Sequence, residues 1–405
     1  MPTNPNSLDT LPLQRPMRGP GSMRQANEWA VLELLQRGAP LSSTQLAADT
    51  GLSRPTVNLA MSRLEAAGLV RQTGLLTGRA GRAARLWEPN VDTGRVVGVD
   101  VGAHWIRLAL ADLGGSVIDR RKEAARTHDA TELVQQIAHL VTDLLEGNGV
   151  ALGEVYSIVI ASPGIYDPGS RRLLHSGNIP GWDRPAVVSL LAEELGDRVT
   201  FENDIDLAAL GEQAAGVGRG VDDFVFLSVG TGIGVGSVLA GRLHRGVRGA
   251  AGEVAYLLVG DSTTPADEQR ERGMFESAAA ADALVAAGRA AGLGDDCTPD
   301  RIFRAARDGD AAAEAVVARE VELIARALVP VVALLDPRLV VLGGGALGEH
   351  AEHVSERVER RLGELVPLPL PDFAASATGE DATVLGGIAQ AVSIAWQRAY
   401  AQSQA

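Results

Sequence analysis

Glu202-Asn203-Asp204 places two carboxylates and an amide in consecutive positions, between a short apolar run at 199–201 and a helical pattern at 205–215. Polar side chains at a strand end project into a cleft, where they can hold a ligand's hydroxyl groups. The same triplet can equally be a plain helix N-cap. Residues 223–242 read as an apolar run, the turn Gly230-Thr231-Gly232-Ile233-Gly234, and a second apolar run. That is the pattern of two tightly joined strands. Glycines at every second position leave backbone N–H groups uncovered, so an oxyanion can approach closely. An ordinary hairpin with a flexible tip has the same signature. Near the N-terminus, Arg54, Thr56, Asn58 and Arg63 share one helical stretch, and Arg79, Arg82 and Arg85 follow in a segment that carries Gly78 and Gly81. Asn can pair with adenine and Arg with guanine in two-point geometry, while arginines among glycines can reach phosphates or a narrow minor groove.

The elements that must position these residues follow from apolar spacing. Trp29, Val31, Leu32, Leu34 and Leu35 give one face of a helix that starts at Arg24 and is ended by Gly38 and Pro40. A short helix is predicted at 43–50, then a turn through Gly51 and Leu52. Ser53 is a natural N-cap for the next helix, and Pro55 falls in its first turn, where the missing N–H costs nothing. Val57, Met61 and Leu64 share its inner face as it runs to about Ala67. Helix, four-residue turn and helix make a helix-turn-helix, whose second helix meets base edges in the major groove. Residues 71–86 read as a two-stranded wing. A small helical interaction module without DNA is the plainer alternative.

Past a linker at 90–94, strands are predicted at 95–102, 105–111, 116–122 and 155–161, with an amphipathic helix at 130–145. The stretches 96–111 and 224–240 share one design: apolar strand, glycine turn, apolar strand ending in Leu-Ala. This weak internal repeat predicts two related lobes whose turns face each other across a cleft. Further on come helices at 276–291, 299–307 and 311–335, a strand at 338–342, the turn Gly343-Gly344-Gly345, and a final strand at 382–385 leading into the last helix.

Bulk properties limit the function classes. A chain of 405 residues with 46% hydrophobic content can bury more than one core. No apolar run reaches the roughly 18 residues of a membrane span. No basic head followed by an apolar core marks a secretory signal. The one cysteine, Cys297, excludes an internal disulfide and a multi-cysteine zinc site. Together these predict a cytoplasmic chain with no membrane partner. The net charge is −14, yet residues 1–90 hold ten Arg, no Lys and six Asp or Glu, a balance of +4 that leaves −18 for the rest. A basic head on an acidic body fits a nucleic-acid module joined to a domain that does not bind nucleic acid. Residues 1–23, with five Pro before Met23, are predicted to be a disordered tail.

Several motifs in combination resemble the ROK family (repressors, open reading frames and sugar kinases), in its DNA-binding repressor branch. They are Gly98-x-Asp100-x-Gly102, Ser176-Gly-Asn178-x-x-x-Trp182, Glu202-Asn203-Asp204, the run from Val229 to Gly236, Gly252-Glu253 and Leu342-Gly-Gly-Gly345. The resemblance covers nearly the whole chain past the tail. It implies an α/β fold class: an N-terminal winged helix-turn-helix at 24–90 and an actin-like, two-lobed sugar kinase-like body. The first lobe would comprise 94–203 with 386–405, and the second 204–385. By position, Asp204 matches the family's catalytic base. Asn203, Glu253 and Glu276 match residues that hold sugar hydroxyls, and Asn178 lies in a loop that closes over the sugar. Gly230, Thr231 and Gly232 match one phosphate turn, Asp100 and Gly102 another, and Gly344 and Gly345 a turn near adenosine.

The departures from that pattern matter as much. The family's zinc motif has a His shortly after Gly-Glu and three Cys before Gly-x-x-Glu. Here the His position holds Tyr256, and 257–275 contains no Cys, so a thiolate-bound zinc cannot form in this segment. Tyr256 also stands where the family His touches the sugar, which would alter the fit. Kinases of the family carry Asp-x-Gly-Gly-Thr; this chain has Asp100-Val-Gly102-Ala103-His104. Phosphoryl transfer depends on positioning and charge neutralisation, so such changes are costly. Asp204 is then a vestigial base and the glycine turns vestigial nucleotide sites, with no cofactor and no metal expected. The implied function is a sugar-responsive transcriptional regulator, a repressor of carbohydrate-utilisation genes. Its implied partners are double-stranded operator DNA, a sugar effector and a second copy in a homodimer or tetramer. The alternative is an active ROK sugar kinase that kept a DNA-binding head.

Overall fold

The computed structural model describes Leu8 and residues 23–38, 40–76, 84–102, 104–126, 129–167, 169–170, 172–174, 179–260 and 265–404. Arg79, Arg82, Ala103, Asn178 and nearly all of the predicted tail lie outside the described residues. The chain packs as two compact units. The first comprises Met1–Ser162, Ser176–Phe201 and Gly387–Ala405, and the second Pro163–His175 and Glu202–Gly386. Residues 163–175, which the sequence reading gave to the first lobe, therefore belong to the second unit. The basic head falls within the first of these units.

The head follows from its caps. Helix α1 (Met23–Gln36) buries Trp29, Val31, Leu32 and Leu35. Strand β1 (Leu41–Ser42) leads into α2 (Ser43–Thr50), where Ser42 and Gln45 form a reciprocal capping box. Gly51 ends α2 in the left-handed region, at φ 71°, a conformation that favours glycine. Ser53 caps α3 (Arg54–Ala66) by accepting from the Thr56 N–H, with Pro55 in the first turn. The wing is an antiparallel pair, β2 (Val70–Leu76) and β3 (Ala84–Pro89), with β1 on the other side of β3.

The first lobe is a five-stranded sheet of β4 (Arg95–Val101), β5 (Trp105–Asp112), β6 (Val117–Ala124), β7 (Val155–Ser162) and β10 (Val199–Asn203), in the order β10-β7-β4-β5-β6. β4 pairs antiparallel with β5 and parallel with β7, and is buried from Val96 to Val101. Burial on both faces is why these strands read as unbroken apolar runs rather than alternating ones. Helices α4 (Ala130–Gly147), α5 (Pro185–Leu195) and the last helix, α13 (Ala382–Gln402), complete the elements of this part of the chain. The sequence reading expected a strand at 382–385; that apolar stretch is instead the opening turn of α13, where helical packing overrides the local β-like composition.

The second unit repeats the topology. Strands β11 (Phe224–Val229), β12 (Ile233–Leu239), β13 (Arg242–Leu243), β14 (Leu339–Gly343) and β15 (Asp372–Ala375) lie in the order β13-β12-β11-β14-β15. β11 is antiparallel to β12 and parallel to β14, as β4 is to β5 and β7. The weak repeat in the sequence is therefore a repeated strand order. A small hairpin, β8 (Ile165–Asp167) with β9 (Arg172–Leu174), belongs to this unit. Helix α6 (Asp204–Ala215) packs on β12, and α7 (Ala266–Glu271), α8 (Met274–Ala279), α9 (Ala281–Ala290), α10 (Pro299–Arg307), α11 (Ala311–Leu335) and α12 (Ala351–Leu365) follow. The helix expected at 276–291 is two helices, divided at Ala280, whose ψ of 167° is extended.

Candidate effector site and DNA-binding face

Strand β12 gathers the candidate ligand residues. Its first three residues each lie against one segment that carries a candidate carboxylate. The Ile233 N–H donates to Glu276 Oε2 at 2.9 Å. At Gly234 a Cβ would lie 2.5 Å from Ile205 Cδ1, so the missing side chain lets the start of α6, with Asp204, sit against the strand. The Val235 N–H donates to the Gly252 carbonyl at 3.0 Å, which fastens the neighbouring Glu253. Gly252 has φ 88°, and a Cβ there would fall 1.8 Å from the Val235 carbonyl oxygen. Gly234 thus serves close packing, as does Gly236, where a Cβ would meet the Ile205 carbonyl at 2.6 Å. The sequence shows glycine at both positions, but not that α6 is the neighbour.

Asn203 does cap α6. Its Oδ1 accepts from the N–H groups of Ile205 and Asp206, and its Nδ2 donates to the Gly164 carbonyl at 2.9 Å. The capping role, the plainer alternative at the sequence level, is thus present, with the amide oriented by the 163–175 segment. Asp204 Oδ1 also accepts from the Ile205 N–H. Behind them Glu202 pairs with Arg245, Oε2 to Nε at 2.6 Å. Asp206, which sequence reasoning passed over, is 3% exposed. Burial first, and the Glu202 charge second, push its carboxyl up to about 8; Asp204 and Glu253 add to the shift and Arg245 opposes it. Asp206 is therefore protonated at neutral pH, as expected for a buried acid among like charges.

Tyr256 sits in the same field. Burial raises its phenol, and the charges of Glu253 and Glu276 raise it further. Its hydroxyl donates to the Glu271 carbonyl at 3.3 Å. Burial also raises Glu276, against the pull of the Ile233 N–H and of Arg272. Arg272 lies 3.4 Å from Glu276 Oε1 and forks onto Asp282 at 2.8 and 3.1 Å. No cysteine stands at 257–275, so this segment offers no thiolate.

The two glycine turns of this unit touch. A Cβ on Gly230 would lie 3.5 Å from the Gly345 N, and the Ala346 N–H donates to the Val229 carbonyl. Gly344, at φ 98°, has no room for a Cβ, which would meet Val229 O at 2.3 Å. Gly230 gives its N–H to the Gly232 carbonyl, so it is not open to a phosphate, whereas Thr231 is exposed. In the first unit, the Gly102 N–H closes a tight turn on the Trp105 carbonyl. Asp100 is buried and accepts from Arg107 Nη1 at 3.1 Å. Asp100, matched by position to a phosphate turn, is thus half of an ion pair.

In the head, α3 turns Arg54 and Asn58 to solvent. Leu59, 54% exposed, and the exposed Ser62 share that surface and were missed from sequence, because an apolar residue in a helix reads as core. An exposed apolar side chain there can meet a thymine methyl. Thr56 is half-buried, its hydroxyl 2.8 Å from Ser53 Oγ within the cap. Arg63, expected at the DNA, donates its Nη1 to Glu28 Oε1 at 3.1 Å while its side chain stays 42% exposed. Glu28 is 1% exposed, and an unpaired carboxylate there would be strongly unfavourable. Arg85 is exposed on β3.

A DNA-reading head followed by one five-stranded α/β topology built twice defines a DNA-binding protein on an actin-like, sugar-kinase-type body. The chain belongs to the ROK family, whose model matches residues 96–393. A winged helix-turn-helix DNA-binding model matches residues 24–71. It is similar to the xylose repressor of Caldicellulosiruptor bescii, 26% identical over 92% of this chain and 96% of the relative. It is also similar to the glucokinase of Thermotoga maritima, 28% identical over 72% of this chain and 95% of that one. In fold it resembles a ROK family transcriptional regulator described as a homolog of the E. coli MLC protein. The TM-score is 0.78 at 22% identity, over 94% of this chain and 99% of the other.

Proposed function

We infer that this chain is a sugar-responsive, DNA-binding transcriptional regulator that represses carbohydrate-utilisation genes. The observation that carries the reading is one polypeptide holding both a capped helix-turn-helix with Arg54 and Asn58 exposed and a carboxylate cluster gathered on one strand. A repressor relative matched over 92% of this chain, and the winged helix-turn-helix match at 24–71, support it. The effector site comprises Asn203, Asp204, Glu253, Tyr256 and Glu276. Asn178, outside the described residues, remains part of the proposal by its motif. Asp204 is a vestigial base in this reading, because Asp100 is taken by Arg107. Two copies would set their α3 helices one helical turn apart on a palindromic operator. A sugar shifts the operator-bound population only if it binds one conformation better than another.

The test is fluorescence anisotropy with the promoter of the chain's own gene cluster, without and with sugars. Specific binding that a sugar modulates is expected; no specific binding ends the reading. The kinase alternative is favoured by the glucokinase relative and by the retained Asp204. A coupled ADP-release assay over hexoses, pentoses and amino sugars decides it: turnover lost in Asp204→Asn would establish a kinase.

A further inference from the structure

The 405-residue chain holds 36 arginines and one lysine, Lys122. Lys122 is exposed on β6, the strand at one edge of the first-lobe sheet. Side chains alternate across a strand, so Ile118, Arg120 and Lys122 share one face of β6, and the acids Asp119 and Glu123 share the other. Asp119 is held on that other face by Arg121 at 3.1 Å and by Asn148 at 2.9 Å. Across the strand pair, Lys122 stands opposite Arg107 of β5. Its ammonium lies 5.1 Å from the centre of the Trp105 ring, within cation–π range, and Trp105 is 45% exposed. One sheet face thus presents an amine on an aromatic support, with the exposed Arg120 two positions along the same strand.

We propose that Lys122 is a covalent modification site that takes an acyl group from an acyl phosphate, the mixed anhydride of a small carboxylic acid with phosphate. A guanidinium suits a phosphate in shape and charge, so Arg120 holds the donor's phosphate while the acyl carbon meets Lys122 Nζ. The deprotonated amine attacks that carbon. A C–N bond forms and the C–O bond to phosphate breaks. The electron pair of that bond leaves on inorganic phosphate, and the surplus proton of the amine passes to water. The product is an amide, which removes the positive charge and the cation–π contact together. The Trp105 carbonyl accepts the Gly102 N–H and the His104 carbonyl accepts the Ala125 N–H, so the change falls beside the glycine turn of the first lobe. With one lysine in the chain the modification is all-or-none, giving two species that differ by one side-chain charge.

The experiment incubates the full chain with acetyl phosphate and follows it by intact mass and peptide mapping. One acetyl group on Lys122 is expected, and none on a side chain of Lys122→Arg. Arg120→Gln should slow acetylation of Lys122 about threefold to tenfold, the worth of an exposed ionic contact. Salt at about 1 M, where charges are screened within about 3 Å, should slow the parent chain more than this variant. A neutral acetylating reagent, N-hydroxysuccinimidyl acetate, should label Lys122 equally fast in both, which separates phosphate holding from altered exposure of the amine. Acetyl phosphate labelling confined to the α-amino group overturns the proposal. Equal acetyl phosphate rates in the parent and Arg120→Gln overturn it too, as does an equal slowing with the neutral reagent.

Discussion

Glu276 receives the backbone N–H of Ile233 at 2.9 Å, so a candidate sugar ligand is fastened to the residue that follows the glycine turn. The remaining carboxylate oxygen faces Arg272. Both oxygens are thus fixed before any ligand arrives, and little ordering remains to be done on binding. Glu276→Gln should keep the Ile233 contact through its amide oxygen and lose the ion pair. Effector affinity is expected to fall about tenfold while operator affinity in its absence stays unchanged, read by calorimetry and anisotropy on the same sample.

Arg54 and Asn58 are exposed on the outer face of α3 and take no part in the cap. Arg54→Ala should weaken specific operator binding by about 1–3 kcal/mol and leave sugar affinity untouched. Arg85→Ala, on the wing, should instead lower affinity for all sequences alike and flatten the salt dependence. Competition titrations at several salt concentrations separate the two behaviours.

Tyr400, in α13, donates its hydroxyl to Glu28 Oε2 at 2.8 Å, and its ring packs edge-on to Trp29 at 5.4 Å. Arg63 of α3 holds the other Glu28 oxygen. The recognition helix is therefore tied through one buried carboxylate to the last helix of the chain. Tyr400→Phe keeps the ring and removes the donor, and should cost about 1–3 kcal/mol of stability. If the tie also orients α3, operator affinity falls with it. Chemical denaturation and anisotropy on this variant read both quantities.

Two candidate-site glycines should respond oppositely to a methyl group. Gly252→Ala forces a left-handed backbone and a Cβ 1.8 Å from Val235 O, and should destabilise by more than about 3 kcal/mol. Gly345 has nothing within 4 Å of a built Cβ, and Gly345→Ala should stay within about 0.5 kcal/mol. Denaturant midpoints give the comparison directly.

Asp206 gives stability a pH dependence of known sign. Its folded carboxyl, raised to about 8, holds a proton that the unfolded chain has already released above its ordinary value of 3.8. Folding stability from this group therefore falls as pH rises from about 4 to about 8. Asp206→Asn removes the titration, so its melting temperature relative to the parent chain should climb across that window. Thermal scans at matched ionic strength test this; a constant difference would contradict it.

Local chemistry determined much of this protein in advance. The helix-turn-helix was legible because Ser53, Pro55 and Gly51 act through neighbours a few residues away, and caps are short-range physics. Both hairpins, and their likeness, were legible for the same reason. Only the tertiary structure decided which residues share a site. That β12 gathers the segments of Asp204, Glu253 and Glu276 depends on contacts about 17 to 43 positions apart in the chain: Val235 against Gly252, Gly234 against Ile205 and Ile233 against Glu276. Long-range packing set Arg63 against Glu28, the β4–β5 hairpin set Asp100 opposite Arg107, and the stretch that reads as a strand at 382–385 is helix. A sequence shows which side chains carry charge, but a charge is spent on whichever partner the folded chain brings within about 3 Å, and that is a property of the packed whole.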